Sequence, residues 1–251
     1  MSTLNTSSLR PLYTASQVRE LDRRTIAGGI DSFALMQRAA SSAWHSFRSR
    51  WPQARSVTVL CGGGHNGGDG HVLAALAMQS GLKVQRLSLK PLDTLSGDVA
   101  RAAELATAAG VSFEEWQPST TLTGEVIVDA LLGTGLTGEV EGSVKQAITA
   151  INTASQPVLA LDIPSGVSAD TGAMLGTAVE ATCTVTFIGD KIGLHTGEAP
   201  AYAGDIDFRP LGVKAQAFFD IPPTAWRLDE AMLSEALPPR SRTSHKGGLG
   251  D

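Results

Sequence analysis

Cysteine is scarce in this chain of 251 residues: there are two, Cys61 and Cys183, far apart and each in or beside an apolar run. Two such positions build no disulfide framework, and their setting predicts two buried, reduced thiols. Basic runs are missing too. The net charge is −5, and no cluster of Lys and Arg follows the pattern that a phosphate backbone requires, which excludes a nucleic-acid partner. No apolar stretch approaches the roughly 20 residues that cross a bilayer. The opening MSTLNTSSLRPLYTASQ has no apolar core of a signal peptide, so a cytoplasmic location is expected. The five histidines show no metal-ligand spacing. GxxxxGK[ST] is absent, which argues against P-loop phosphoryl transfer. GxSxG is absent, which argues against an esterase.

What is present is an ordinary globular composition, 42% hydrophobic and 18% charged, rich in Gly. Residues 1–13 read as a polar tail. Thr14-Ala-Ser-Gln17 fits a capping box opening a helix that Gly28-Gly29 ends, and a second helix runs from Ser32 to just before Pro52. Two helices therefore precede any strand. Six strands are then predicted: SVTVLC, KVQRLSL, EVIVDALLG, PVLALDIPSG, TCTVTFIGDKIG and DIDFRP. Helices follow the first three, beginning with HVLAALAMQSG after the loop GGGHNGGDG. This alternation predicts an α/β fold, a mostly parallel sheet with helices on both faces. Residues 229–251 contain a Pro- and Ser-bearing basic linker and a Gly-rich turn resembling the start of another domain.

In open parallel sheets, ligands bind beyond the carboxyl ends of the strands. At those ends stand GGGHNGGDG (62–70), Asp129 with GTG (133–135), Asp162 with PSG (164–166), and Asp190-Lys191. The glycines let backbone approach a ligand, and the N–H groups of the helix that follows can hold a phosphate. Glycines alone would equally make a tight turn capped by Asp69, but Asn66 adds an amide oxygen that can ligate a cation or a hydroxyl. One Asp after a strand is usually a turn cap. Two of them, Asp129 and Asp162, favour a shared site. Oxygens of Asn, Asp and Ser165 without His or Cys suit a hard cation and not zinc. Lys191, flanked by glycines just past a strand, is a candidate catalytic or phosphate-pairing group. Leu35, Met36 and Trp44 read as core residues of a helix face.

Four segments together resemble the NAD(P)H-hydrate epimerase family, the N-terminal domain of bifunctional nicotinamide nucleotide repair enzymes. They are NGGDG (66–70), VDALLGTGL (128–136), LDIPSGVSADTG (161–172) and FIGDKIGLHTGEAPAYAGDI (187–206). TASQVRELDRRTIAGGI and LMQRAA resemble the family's opening helices, so the likeness runs from Thr14 to about Val213. It implies a three-layer Rossmann-like fold over residues 14–228, a homodimer and a potassium ion, with interconversion of the R and S forms of hydrated NADH and NADPH as the activity. By motif, Asn66, Asp129 and Ser165 would ligate potassium, and Asp162 and Lys191 would be catalytic. Substrate would meet His65, Asn66, Gly67, Gly68 and Asp69, then Gly133, Thr134, Gly135, Leu136, Thr137, Gly138 and Glu139, together with Asp162. SHKGGLGD resembles the opening of an ADP- or ATP-dependent hydrate dehydratase domain, an expected native fusion partner. His65 stands where the family commonly has Asn, and Gln37 and Ala40 replace a usual Glu and Gly. The competing expectation is a non-catalytic nucleotide-binding or scaffold module of the same fold.

Overall fold

The structure is a computed structural model and describes residues 9–228. The expected linker and dehydratase start at 229–251 lie outside the described residues.

The first correction concerns the tail. Residues 10–13, read as part of a polar tail, form strand β1 (Arg10–Tyr13), and Leu12 and Tyr13 are buried. Helix α1 (Ala15–Ala27) opens on the expected capping box: the Thr14 hydroxyl accepts from the Gln17 N–H at 3.2 Å, and the Gln17 amide oxygen accepts from the Thr14 N–H at 2.9 Å. Gly28 and Gly29 end it, Gly29 at φ 99°. Helix α2 (Ser32–Arg50) is capped by the Asp31 carboxylate and stops before Pro52.

Strands β2 (Ser56–Cys61), β3 (Lys83–Ser88), β4 (Phe113–Glu115), β5 (Val126–Ala130), β6 (Val158–Leu161), β7 (Cys183–Phe187) and β9 (Asp205–Arg209) make one seven-stranded sheet, entirely parallel, in the order β4-β3-β2-β5-β6-β7-β9. Helices α3 (His65–Gln79), α4 (Gly97–Ala108) and α5 (Gly142–Thr153) connect β2 to β3, β3 to β4 and β5 to β6. β4 escaped the sequence reading because its three residues are all exposed, which leaves no apolar run to recognise. The predicted strand TCTVTFIGDKIG is two strands. Ile188 at φ 67° breaks it after β7, and β8 (Asp190–Lys191) joins a second sheet of order β10-β1-β8, with β10 being Ala225–Arg227.

Alternation along the central strands sorts side chains into two cores. Val57, Val59, Val126 and Val128 face α2 and α3, whereas Leu60, Ile127 and Val158 pack with Ala147, Ile148 and Ile151 of α5. That is the three-layer arrangement expected. Among the described residues no helix is long and apolar enough to cross a membrane.

The strand order places the site. The chain leaves β2 toward β3 on one side and returns to lay β5 on the other, so the connections at their carboxyl ends diverge and open a crevice.

Candidate active site

The Gly-rich segment is the second correction: α3 starts at His65, so NGGDG is its opening turns and not a loop. The glycines there serve packing. A Cβ on Gly70 would lie 2.5 Å from the Ala130 Cβ, and one on Gly67 would lie 1.9 Å from the Gly62 carbonyl oxygen. Gly68 lies against Met36 of α2, where a Cβ would meet the thioether at 2.6 Å. Helix and sheet therefore approach more closely than any larger residue allows, and the free amino end of α3 is drawn to the crevice. Gly64 caps α3 with no side-chain hydrogen bond, and its first turn carries no acid, so its N–H groups remain available to an anion.

A cavity of about 660 Å³ opens here. Its walls come from α1, α2, the first turns of α3, residues 131–139, and the segments after β6 and β7. Of the predicted site residues, His65, Asn66, Asp69, the whole run Gly133–Glu139, Asp162 and Lys191 line it. Gly67 and Gly68 do not; they are buried within the helix contacts just described. Asp129 and Ser165 also stay off the wall and lie fully buried.

Asp129 and Ser165 form a closed unit. The Ser165 hydroxyl donates to Asp129 Oδ1 at 2.6 Å, and the Ser165 N–H donates to Oδ2 at 2.8 Å. The hydroxyl accepts from the Leu132 N–H at 2.9 Å, while Asn66 Nδ2 donates to the Leu132 carbonyl at 2.8 Å. Burial pushes the Asp129 carboxyl up to about 6, and the Ser165 and Leu131 hydrogen bonds oppose that rise. Asn66 Oδ1 is buried with no hydrogen-bond partner among the described residues.

Asp162 sits at φ 66°, in the left-handed region, immediately after β6. Its N–H donates to the Val185 carbonyl at 2.7 Å, and this turns the side chain into the cavity. Its Oδ1 accepts from the Lys191 ammonium and, at 3.3 Å, from the Phe187 N–H. Lys191 is 1% exposed and also donates to the Phe187 carbonyl at 2.8 Å. A buried ammonium beside a carboxylate open to the cavity is a pair that can move a proton and steady a developing charge.

The sequence reading missed the contribution of α1. Arg19 and Asp22 line the cavity, as do Ser32 of α2 and Asp98 of α4. Burial raises the Asp22 carboxyl, His65 opposes that, and Asp162 adds to it. A signal existed: Asp22 stands four residues after Val18 and next to Leu21, both on the buried stripe, where an acid is out of place.

Residues 32–193 match the family described as YjeF-related protein N-terminus. The chain belongs to that family. Among relatives, the bifunctional NAD(P)H-hydrate repair enzyme Nnr of Coxiella burnetii is 45% identical over 240 residues, covering 95% of this chain and 49% of that protein. The enzyme of the same name from Escherichia coli is 39% identical, covering 88% of this chain and 43% of its own length. This family member thus spans about half the length of the bifunctional relatives it matches. The NAD(P)H-hydrate epimerase of Limosilactobacillus fermentum is 36% identical over 194 residues, which are 77% of this chain and 93% of that one. The crystal structure of yeast ynu0 shares the fold, with a TM-score of 0.71 at 18% identity over 85% of this chain and 95% of that one.

Proposed function

We propose that the chain is an NAD(P)H-hydrate epimerase, interconverting the R and S forms of hydrated NADH and NADPH in the cytoplasm. The observation that carries this activity is the buried Lys191 ammonium on the Asp162 carboxylate, inside the crevice where such sheets take dinucleotides. The substrate bears a hydroxyl on C6, next to the ring nitrogen N1. Either the C–O bond ionises with help from that nitrogen, or the ring opens to an aldehyde. Both routes flatten C6 and permit closure on the other face. The protein then needs only proton transfer, assigned to Asp162, and charge stabilisation, assigned to Lys191. His65, Asn66, Asp69 and residues 133–139 would hold the nucleotide. The free N–H groups at the start of α3 suit its diphosphate.

A potassium ion fits the residues present. Among the described residues, Asn66 Oδ1 is a buried acceptor without a donor, and Asp129 is a buried carboxylate whose own partners are neutral. With Ser165 they form an all-oxygen set of the kind hard cations take. Bound there, potassium would supply positive charge beneath a cavity that carries five carboxyl groups, from Asp22, Asp69, Asp98, Glu139 and Asp162, and must accept an anionic substrate. A homodimer and a dehydratase domain beyond residue 228 belong to the same proposal; the bifunctional names of the Coxiella and Escherichia relatives support the second.

Conversion of a single epimer of hydrated NADPH, followed by chromatography in potassium and then in sodium buffer, tests the activity. Rapid, potassium-favoured conversion is expected. Binding without acceleration over buffer would replace the enzyme with a nucleotide-binding module.

A further inference from the structure

Asp69 has no use as a helix residue. It stands in the second turn of α3, 9% exposed, and its carboxyl has no hydrogen-bond partner among the described residues. Aspartate is a poor helix former, and a buried carboxylate without partners is costly. Yet it lines the same cavity as Asp162 and Lys191, close enough for both charges to act on it. Asp22 on α1, Asp162 after β6 and Lys191 on β8 are the charged groups that act on it. The remaining titratable groups of the cavity wall are Arg19, His65, Asp98 and Glu139.

Charge counting separates the carboxyl groups. The single buried ammonium among the described residues, Lys191, is spent on Asp162. Asp69 has neither ammonium nor N–H donor, and two neighbouring carboxylates disfavour a third charge. Burial first, then Asp162 and Asp22, raise its carboxyl well above the usual range, and Lys191 offsets only part of that. The site therefore sets a carboxyl paired with an ammonium against one whose surroundings favour the neutral form, the division an acid–base pair requires.

We propose that Asp69 is a second catalytic residue, the proton donor to ring nitrogen N1, acting opposite Asp162 as base. This rests on the epimerase reading of the same site. In the step assigned, Asp162 takes the C6 hydroxyl proton and the O–H electrons form the C6=O double bond. The C6–N1 bond breaks with its electrons going to N1, and N1 takes the Asp69 proton. Rotation about the C5–C6 bond presents the other face of the aldehyde. On closure N1 attacks C6 and returns its proton to the Asp69 carboxylate, and the oxygen regains the Asp162 proton. Both side chains end as they began. The ionisation route would instead leave them in exchanged protonation states after each inversion, so ring opening is the route that a fixed neutral–charged pair serves.

The test is the pH profile of epimer exchange on hydrated NADPH, measured for the full chain as wild type, Asp69→Asn and Asp22→Asn. Wild type should lose kcat at the alkaline end as the donor ionises. Asp69→Asn should lose about 10²- to 10⁴-fold in kcat, with KM little changed and the alkaline limb gone. Asp22→Asn removes a negative neighbour, so the alkaline limb should move to lower pH. Asp69→Asn with kcat within threefold of wild type and an intact limb would overturn the proposal. If that variant does not fold, an unmoved limb in Asp22→Asn overturns it equally. A wild type that gives no acceleration fails the epimerase reading itself, an outcome separate from either variant's. Exchange in ¹⁸O-labelled water adds a check on the step: retention of the C6 oxygen is expected, and one solvent oxygen per inversion would exclude it.

Discussion

Lys191 and Asp162 join two different sheets. Asp162 follows β6 of the seven-stranded sheet, and Lys191 lies on β8 of the three-stranded one, paired in register with Tyr13 of β1. Removing either partner should abolish turnover for a different reason. Asp162→Asn keeps the shape and loses the base, and should cost about 10²- to 10⁴-fold in kcat while nucleotide binding survives. Lys191→Met should lose a similar factor through lost charge stabilisation, and each variant, by leaving its partner unpaired, should also weaken the fold by up to about 3–5 kcal/mol. Steady-state kinetics with a urea midpoint for each variant separates the two; near-wild-type turnover in Asp162→Asn would remove that residue from the chemistry.

Because β1 holds the strand that carries Lys191, deletion of residues 1–13 should damage activity more than architecture. The seven-stranded sheet contains no residue before Ser56, so circular dichroism should remain close to that of the full chain. Turnover should fall at least about tenfold as the ammonium loses its seat. Full activity in the shortened chain would show that β8 holds Lys191 unaided.

Glycines of one segment should differ in tolerance. Gly70→Ala drives a methyl to 2.5 Å from the Ala130 Cβ and should destabilise by about 1–3 kcal/mol. Gly64→Ala meets nothing within 4 Å and should change the urea midpoint little. Equal effects would contradict the helix-on-sheet contact.

His71 supplies a pH prediction. It is fully buried on α3 with neither ring nitrogen hydrogen-bonded among the described residues, and burial followed by the Arg86 charge lowers it to about 4. A depressed pKa means that the neutral form is the folded one. Its contribution is complete above the unfolded value of about 6.5 and is lost as pH falls toward about 4, at up to about 1.4 kcal/mol per unit. His71→Leu should flatten that slope in urea unfolding between about pH 7 and about pH 5. Parallel slopes for variant and wild type would locate the acid sensitivity elsewhere.

The thiols should be inert in the native state. Burial pushes Cys61 up to about 12 and Cys183 up to about 11, so neither presents thiolate near neutral pH. A disulfide reagent should titrate nothing before unfolding and both thiols in strong denaturant. Rapid native labelling of Cys61 would mean that the space beneath α3 opens to solvent.

The parts of the site legible in sequence are those where a strand ends on chemistry. Asp129, Asp162 and the Gly133–Glu139 run announce themselves because an apolar strand that stops at an acid and a glycine needs a reason. Asp22 gave a fainter signal. Its helix reads as a complete amphipathic element, and only the cavity shows that one acid stands on the inward stripe. NGGDG was legible as special but not as helix, because glycine propensity argues against helix while close packing on β2 and β5 decides for it. The break at Ile188 left no trace, since a β-branched residue at φ 67° is a conformation no propensity favours.

The small sheet also sets an order of events on the ribosome. β1 lies between β8 and β10, so residue 10 waits for residue 227 before its pairing is complete. Every strand of the large sheet has left the tunnel before β10, whereas the smaller sheet closes across almost the whole described chain. Loop closure of that span is slow compared with local helix and strand formation. A nascent chain should therefore acquire its nucleotide-sized crevice before the sheet that carries its lysine is complete.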